Sequence, residues 1–351
     1  MGRFCLREPE LDYLYDFLLF FAKSFTLVLV CVAGIIAILL VAARQKARRG
    51  QLEFEDLSAD YRQTCEQLQA QLLSPDALKQ RAREQKQEAK ARKKQALAPV
   101  EPRLFVIDFK GGVEAKEVAS LREEVTAILA VARQDDEVLV RVESGGGVVH
   151  GYGLCASQLQ RIRARGLRLT VAIDKVAASG GYMMACVAQH IMAAPFAIVG
   201  SIGVVAQLPN FHRLLQKHDI DFEQHTAGQY KRTLTLFGEN DDAGREKFRA
   251  ELESVHQQFK QFVGQHRPRV DLTAVATGEH WLASEALAFN LVDELKTSDD
   301  YLQENYAQRQ VVRLKFKQPK RLGERLAGQA STLLTDSVIN VWQRLRTPFH
   351  D

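Results

Sequence analysis

Short apolar runs alternate with longer segments of helical spacing between residues 104 and 293. The runs are rich in β-branched and aromatic residues and four to ten residues long, which is typical of buried strands. The predicted strands are LFVIDF (104–109), EVLVRV (137–142), LRLTVAI (167–173), IMAAP (191–195) and AIVGSIGVVA (197–206), and the predicted helices are 115–133, 148–163, 182–190 and 243–266. This alternation predicts an α/β fold with a largely parallel sheet.

The N-terminal part has a different pattern, because residues 25–43 contain no charged side chain. Nineteen such residues in a helix cross about 30 Å of hydrocarbon. A cleaved signal peptide is the alternative, but the leading region is long and carries Glu8, Glu10, Asp12 and Asp16 instead of a short basic stretch. We therefore predict an uncleaved transmembrane anchor within a segment 1–50. A second apolar stretch, 191–208, is broken by Pro195, Gly200 and Gly203 and is interpreted as core strands.

Residues 51–101 are predicted to be a charged connector, either a solvated helix or a disordered tether. Residues 79–94 carry eight basic and two acidic side chains, without the interleaved aromatics of a nucleic-acid-binding module. Attraction to anionic lipid headgroups is the functional alternative to a plain spacer. The α/β domain is predicted at 102–310. A C-terminal extension at 311–351 follows, whose residues 321–346 form an amphipathic stripe suited to core packing, a subunit contact or a membrane surface.

The candidate chemistry begins at Ser179, which stands in Ala-Ser-Gly-Gly (178–181) between a predicted strand and a predicted helix. A hydroxyl there lies near the positive end of a helix dipole, and the small neighbours let a substrate backbone approach closely. This is suitable for a nucleophile, although a helix-capping serine followed by loop glycines gives the same pattern.

A second glycine cluster, Ser-Gly-Gly-Gly (144–147), follows another predicted strand and precedes another helix. Its backbone N–H groups can face an anion, and one such anion is the oxyanion of a tetrahedral acyl intermediate. A flexible turn is one alternative. A nucleotide site is another, because residues 151–156 loosely match a dinucleotide fingerprint, but this G-x-G lies inside the predicted helix.

Lys231 is the candidate general base, because no histidine has an obvious sequence relation to Ser179. It follows a turn-like segment after a predicted strand at 220–226. A lysine acts as a base only where burial or neighbouring cations lower its pKa, and most lysines are solvated surface groups. The sequence leaves both interpretations open.

Four motifs in this order resemble the S49 peptidases, the signal peptide peptidase A group. They are Ser-Gly-Gly-Gly-Val (144–148), Ala-Ser-Gly-Gly-Tyr (178–182), Gly-Ser-Ile-Gly-Val (200–204) and Gly-Gln-Tyr-Lys (228–231). A closing segment, WLASEAL (281–287) and NLVD (290–293), is similar to that of the same family. The resemblance implies a ClpP/crotonase-like spiral fold for about residues 104–295.

Carried over by position, the resemblance implies that Ser179 is the nucleophile and Lys231 its general base. Ser201 matches the serine that orients the lysine, and Gly146 matches a glycine of the oxyanion hole, with the Gly180 N–H as the second donor. Arg232 stands where family members often have an acidic residue. The implied activity is serine-type endopeptidase action on polypeptides such as signal-peptide remnants or misfolded chains, without a metal or organic cofactor.

The resemblance also implies homo-oligomers and a bacterial inner-membrane location with the catalytic domain in the periplasm. Arg44, Lys46, Arg48 and Arg49 follow the apolar run and predict instead a cytoplasmic domain by the positive-inside rule. We favour the periplasmic side, because the resemblance covers more of the chain.

The composition of the chain limits the partners and the covalent cross-links that can be expected. A net charge of +4 on 351 residues is too small to indicate a polyanionic partner, and no nucleic acid is expected. The five widely spaced cysteines are expected to be free thiols. Two other functional classes stay open: a crotonase-like acyl-CoA hydratase or thioesterase, and a catalytically idle scaffold that binds peptides.

Overall fold

The computed structural model describes residues 8–47, 50–74, 76–80, 83, 87 and 102–318. The chain divides into two compact units, Leu52–Phe316 and the terminal segments Met1–Gln51 with Lys317–Asp351. The amphipathic stripe predicted at 321–346 lies outside the described residues.

The N-terminal segment forms one long helix, α1 (Glu8–Ala47). Its apolar portion, Phe17–Ile38, has 22 residues with a mean hydropathy of 2.3, none of them buried against the protein. At a rise of 1.5 Å per residue, this portion is about 33 Å long, which matches the hydrocarbon thickness of a bilayer. The apolar portion begins earlier than the predicted 25–43, because a single charged residue at Lys23 does not interrupt a helix of this hydropathy.

The unit Leu52–Phe316 is built on two sheets. One has seven strands in the order β1-β10-β2-β3-β4-β6-β9, and the other has three in the order β5-β7-β8. Every neighbouring pair from β10 to β9 runs parallel, which confirms the predicted α/β architecture. The strands are β1 (Gln51–Asp56), β2 (Arg103–Lys110), β3 (Glu137–Glu143), β4 (Arg168–Ile173), β5 (Val176–Ala178), β6 (His190–Ala193), β7 (Ile198–Gly200), β8 (His280–Leu282), β9 (Glu294–Leu295) and β10 (Gln310–Lys317).

Helices cover both faces of the larger sheet, so its central strands are apolar on both sides. Along β2, Leu104 and Val106 pack into one hydrophobic cluster, whereas Phe105 and Ile107 pack into the other. The helices of this unit are α2 (Leu57–Leu72), α3 (Val118–Val131), α4 (Val149–Ala164), α5 (Gly180–Ala185), α6 (His212–Lys217), α7 (Asp242–His266), α8 (Leu272–Val275), α9 (Ala283–Ala286) and α10 (Ser298–Asn305).

Two predicted elements around Ser179 are shorter in the structure. The helix predicted at 182–190 ends at Ala185, because His190–Ala193 pairs in parallel with β4 as the strand β6. The strand predicted at 197–206 is reduced to Ile198–Gly200. Short buried apolar runs fit helix and strand equally well by periodicity, so the pairing partner decides between them.

The connector and the C-terminal boundary also differ from the prediction. Residues 51–72 form β1 and α2, and β1 is the edge strand of the larger sheet beside β10. β10 crosses the boundary predicted at residue 310 and pairs along its length with β2. The central unit of the fold therefore begins before residue 102 and ends after residue 310.

Residues 204–241, which we call the arm, contain the strand predicted at 220–226, but the structure has no strand there. All side chains from 220 to 226 are exposed, and no residue of the arm is buried. A strand needs a paired neighbour, and this segment has none among the residues that the structure describes.

Candidate active site

A cavity of about 750 Å³ lies where the glycine-rich turn 144–148, the start of α5 and the turn after β7 meet. Ser179, Gly146, Gly180 and Ser201, four of the five residues predicted to form the site, line it. Apolar side chains, including Met183 from α5 and Phe259 from α7, form much of the remaining wall, as is usual for ligand pockets.

Ser179 is held in a backbone conformation that L-residues rarely adopt. Its φ is 51° and its ψ is −117°, and it immediately precedes α5. The Ser179 N–H donates to the Gly200 carbonyl at 2.8 Å, and the Ser179 carbonyl accepts from the Met183 N–H at 2.9 Å. Such strain persists only where the surroundings impose it, and it is concentrated at functional sites.

The turn after β3 is packed against Ser179. Gly146 has a φ of 89°, and a Cβ at this position would lie 2.7 Å from the Gly180 N and 2.8 Å from the Ser179 Cβ. Only glycine permits that approach. Two hydrogen bonds fix the start of the turn, from the Ser144 N–H to the Val176 carbonyl at 2.9 Å and from the Ala178 N–H to the Ser144 carbonyl at 3.0 Å.

The Gly180 N–H belongs to the first turn of α5, whose N–H groups have no partner inside the helix. The Gly146 N–H donates to the Ser144 hydroxyl at 3.1 Å. Gly146 and Gly180 therefore both line the cavity beside Ser179. The group that accepts the Gly146 N–H is a neutral hydroxyl.

Ser201 shares the unusual backbone conformation of Ser179, with a φ of 52°. Its N–H donates to the Glu279 carbonyl at 2.6 Å, and its hydroxyl donates to the Gly278 carbonyl at 3.4 Å. These bonds attach the turn after β7 to the segment before β8.

Lys231 is placed differently. It lies on the arm, is exposed and does not line the cavity. Its backbone N–H donates to the Gly228 carbonyl at 3.1 Å, and its side chain makes no hydrogen bond or ion pair with any described residue. A single chain therefore does not bring the predicted nucleophile and the predicted base together.

Three residues with polar side chains line the cavity but were not predicted from the sequence: Tyr152, His256 and Thr277. Tyr152 lies on α4 with no exposed surface, and burial raises the pKa of its phenol. His256 lies on α7, where its Nε2 is 3.1 Å from the Ile202 carbonyl and its Nδ1 is 3.9 Å from the Glu253 carboxylate. Because that Nε2 must carry a proton to bond a carbonyl, it offers no lone pair to Ser179 in this arrangement.

Among the described residues, no group of three or more His, Cys, Asp or Glu side chains is placed to hold a metal ion. The described cysteines are free, and burial raises the pKa of the Cys155 thiol to about 12. A buried thiol of that pKa is inert as a nucleophile at neutral pH.

Two family models match the chain in succession. The model described as "Peptidase family S49 N-terminal" covers residues 12–159, and "Peptidase family S49" covers residues 161–312. All the residues that were predicted to form the site fall within these two matches.

Curated relatives cover nearly the whole chain. A "Probable protease SohB" of Haemophilus influenzae is 45% identical over 346 residues, which are 96% of this chain and 97% of the relative. A protein of the same description from Buchnera aphidicola subsp. Schlechtendalia chinensis is 46% identical over 302 residues, 83% of this chain and 99% of the relative. "Protease 4" of Haemophilus influenzae is more distant, at 25% identity over 201 residues, 55% of this chain and 32% of the relative.

Proposed function

The chain belongs to peptidase family S49, and we propose that it is a membrane-anchored serine endopeptidase with Ser179 as its nucleophile. Protease activity is what the family and the descriptions of the relatives support. The α/β architecture with a largely parallel sheet is that of the ClpP-like fold of this family. The single observation that carries the serine assignment is the position of Ser179, strained at φ 51° before a helix and lining the cavity beside two glycine amides.

The proposed reaction uses the groups that meet at this cavity. The Ser179 Oγ attacks the carbonyl carbon of a peptide bond while the base removes its proton, and the carbonyl oxygen becomes an oxyanion. The Gly180 and Gly146 N–H groups stabilise that charge, and such donors contribute about 3–4 kcal/mol each. The C–N bond then breaks as the protonated base donates to the leaving amine, and water releases the acyl group by the same steps.

Lys231 of a neighbouring copy of the chain is the base in this proposal. The arm that carries Lys231 exposes nine large apolar side chains, and exposed apolar surface of this extent marks a protein interface. They are Val205, Leu208, Phe211, Leu214, Ile220, Phe222, Tyr230, Leu236 and Phe237. Packing the arm against a second copy would bury these side chains, desolvate Lys231 and so lower its pKa towards that of a usable base.

Unfolded or membrane-derived polypeptides are the proposed substrates. The cavity walls are largely apolar, which suits apolar side chains, and the transmembrane helix α1 would place the enzyme at the membrane surface. No step of the proposed reaction needs a metal or an organic cofactor.

The experiment is cleavage of an unstructured protein by the detergent-purified full chain and its variants. Ser179→Ala and Lys231→Ala should each lose at least about 1,000-fold in kcat, because nucleophile and base act as a unit. Lys217→Ala is the matched control, since Lys217 is an exposed lysine of the same arm and should keep its activity. Activity that survives Ser179→Ala would sink the serine mechanism, whereas an inactive wild type would favour the idle peptide-binding scaffold.

Mixing the two inactive variants tests the composite site. In a randomly mixed oligomer, an intact Ser179 of one copy meets an intact Lys231 of its neighbour at about one site in four. About a quarter of the wild-type activity should therefore return. No recovery, with mixed oligomers shown to form, would place both residues of the pair in one chain.

We also propose that α1 anchors the protein in the bacterial inner membrane with the Leu52–Phe316 unit in the periplasm. The length and hydropathy of Phe17–Ile38 support the anchor. A protease added to spheroplasts should then digest the catalytic unit without lysis of the cells. Protection until lysis would place the unit in the cytoplasm, as the basic residues after the helix predict.

A further inference from the structure

Tyr152 is a fully buried residue of α4 that packs under Gly180 at the start of α5 and reaches the residues beside the glycine-rich turn. Its ring lies directly under Gly180, where a Cβ would be 2.4 Å from the Tyr152 Cγ. Its hydroxyl lies under Gly111, where a Cβ would be 2.6 Å from that oxygen. The backbone at Gly180 and the backbone at Gly111 thus both pack against one aromatic side chain.

The hydroxyl group of Tyr152 extends this contact to the glycine-rich turn. It donates to the Gly112 carbonyl at 2.8 Å and makes a short hydrogen bond with the Ser144 hydroxyl. The Ser144 hydroxyl is also 3.1 Å from the Gly111 carbonyl and accepts the Gly146 N–H at 3.1 Å. Ser144 is itself only 3% exposed, so water does not replace these partners.

We propose that Tyr152, acting with Ser144, is a positioning residue that holds the Gly146 and Gly180 amides in a single geometry for the oxyanion. The ring fixes Gly180 by contact, and the two hydroxyls hold the turn at Gly146 by hydrogen bonds. The Gly146 N–H donates to the Ser144 hydroxyl, and in this proposal it shares that bond with the oxyanion when one forms in the cavity. This inference rests on the proposed function, in which those amides stabilise the transition state. Tyr152 lines the cavity, but in this proposal it acts through the two amides and not on the reacting atoms.

The protonation state of Tyr152 agrees with this role. Burial raises the pKa of the phenol, so it keeps its proton at neutral pH and remains a donor. The two hydroxyls carry two protons for three contacts, those to the Gly111 and Gly112 carbonyls and the one between the hydroxyls, so two of these contacts are donated at any one time. The Gly146 N–H then has an acceptor that cannot rotate away without breaking another bond in the network.

Tyr152→Phe is the decisive variant, because it keeps the ring under Gly180 and removes only the hydroxyl. We expect kcat to fall about tenfold with KM changed less than about twofold, since donors act in the transition state and a displaced donor loses part of its effect. Ser144→Ala should give a similar fall, and the double variant should fall little further, because both changes break one network.

Tyr182→Phe is the matched control. Tyr182 is also fully buried, and its hydroxyl likewise donates to a backbone carbonyl, that of Leu291 at 2.9 Å. It does not line the cavity. Both tyrosine variants should lower the melting temperature by a comparable amount, but only Tyr152→Phe should lower kcat. Equal losses of kcat would show a purely structural role and overturn the proposal.

Amide hydrogen exchange gives a readout that does not depend on turnover. Exchange of the Gly146 amide should be faster in Tyr152→Phe and in Ser144→Ala than in the wild type and Tyr182→Phe. A fall in kcat without faster exchange at Gly146 would overturn the positioning role, and so would an unchanged or raised kcat in an active enzyme.

Labelling of Ser179 by a fluorophosphonate separates this inference from the proposed function. A wild type that is neither labelled nor active would overturn the proposed function, and the positioning role would fall with it. A wild type that is labelled and active, beside a Tyr152→Phe variant with the same kcat, would overturn the inference alone.

Discussion

The two halves of the proposed dyad lie in regions with opposite physical character. Ser179 stands where two sheets and a helix meet, and its backbone and that of the adjoining turn are fixed by four hydrogen bonds and by glycines without room for a Cβ. Lys231 stands on the arm, where no residue is buried and its own side chain has no partner among the described residues.

This difference shows which part of the site the chain builds for itself. The proposed nucleophile and oxyanion donors are pre-organised within one copy, at a cost in backbone strain that the surrounding packing offsets. The proposed base is not positioned within one copy, and the apolar side chains of the arm are exposed as Lys231 is. Assembly would order both at once, so activity would depend on association between copies.

After loss of Ser179 itself, Gly146→Ala should produce the largest effect on the part of the proposed site that one copy builds for itself. The new Cβ would lie 2.7 Å from the Gly180 N, at a φ of 89° that alanine adopts only with strain. Because backbone atoms must move to relieve this overlap, both proposed oxyanion amides are displaced. We expect kcat to fall at least about 100-fold, the effect of losing one donor outright. Steady-state kinetics on the purified variant measures it.

Two glycines serve as controls for that prediction. Gly145 lines the same cavity, but a Cβ there meets no atom within 4 Å, so Gly145→Ala should keep near-normal activity. Gly228 lies on the arm with a φ of 97°, and a Cβ there also meets no atom within 4 Å. Gly228→Ala therefore tests the effect of backbone strain without a steric overlap. If the Gly146→Ala variant were as active as Gly145→Ala, activity would not depend on the close packing of Gly146 against Gly180 and Ser179.

Leu214→Gln should produce the second-largest effect. It tests the arm, which carries the proposed base and is proposed to pack against a second copy. Leu214 is exposed on α6 of the arm, and surface substitutions of this kind change the stability of a single chain by less than about 0.5 kcal/mol. If the arm packs against another copy, the change should shift the oligomer towards smaller species and lower the activity at dilute protein concentration. Sedimentation velocity and the concentration dependence of the rate measure both.

Val131→Gln is the control for Leu214→Gln, because Val131 is an equally exposed apolar residue that lies on α3, away from the arm. It should leave the oligomer and the rate unchanged. A Leu214→Gln enzyme with wild-type assembly and wild-type activity would remove the arm from the interface.

The contrast between the regions also explains what the sequence could predict. Buried parallel strands such as β2 and β3 have unmistakable apolar runs, because both of their faces are covered. Ser179, Gly146, Gly180 and Ser201 could be predicted as candidate site residues because each lies in a short motif that follows a strand. The cavity brings these four together.

The remaining features depend on contacts between distant parts of the chain. Nothing in its local sequence marks Tyr152 as special, because its proposed role depends on contacts with Gly111 and Gly180, which lie far from it in sequence. The segment 220–226 has the composition of a strand, but a strand also needs a neighbour. The pairing of β10 with β2 joins residues about 200 positions apart, so no local pattern could have shown it.

Glu124→Gln should have the smallest effect on activity. It should change only the stability of the packed part of the chain, to which Ser179 belongs. Glu124 on α3 is 5% exposed and accepts the Phe316 N–H at 2.8 Å, and burial raises the pKa of its carboxyl to about 7. Asp108 raises this pKa further, whereas Lys315 and the Phe316 N–H lower it. The folded state binds the Glu124 proton more tightly than the unfolded state does. The stabilisation that this gives the folded state is complete below about pH 4.5 and is lost as the pH rises to about 7.

Glutamine keeps the acceptor for Phe316 and cannot ionise, so the variant should lack this loss. At pH 8 we expect Glu124→Gln to be more stable than the wild type by up to about 3 kcal/mol, and at pH 4 to be of similar stability. Denaturant unfolding across this pH range measures the difference, and Glu123→Gln, at an exposed neighbouring position, should follow the wild type. A wild type and a Glu124→Gln variant with parallel stability profiles would show that Glu124 titrates as a solvated carboxyl. In that case this part of the core would be as open to water as the arm.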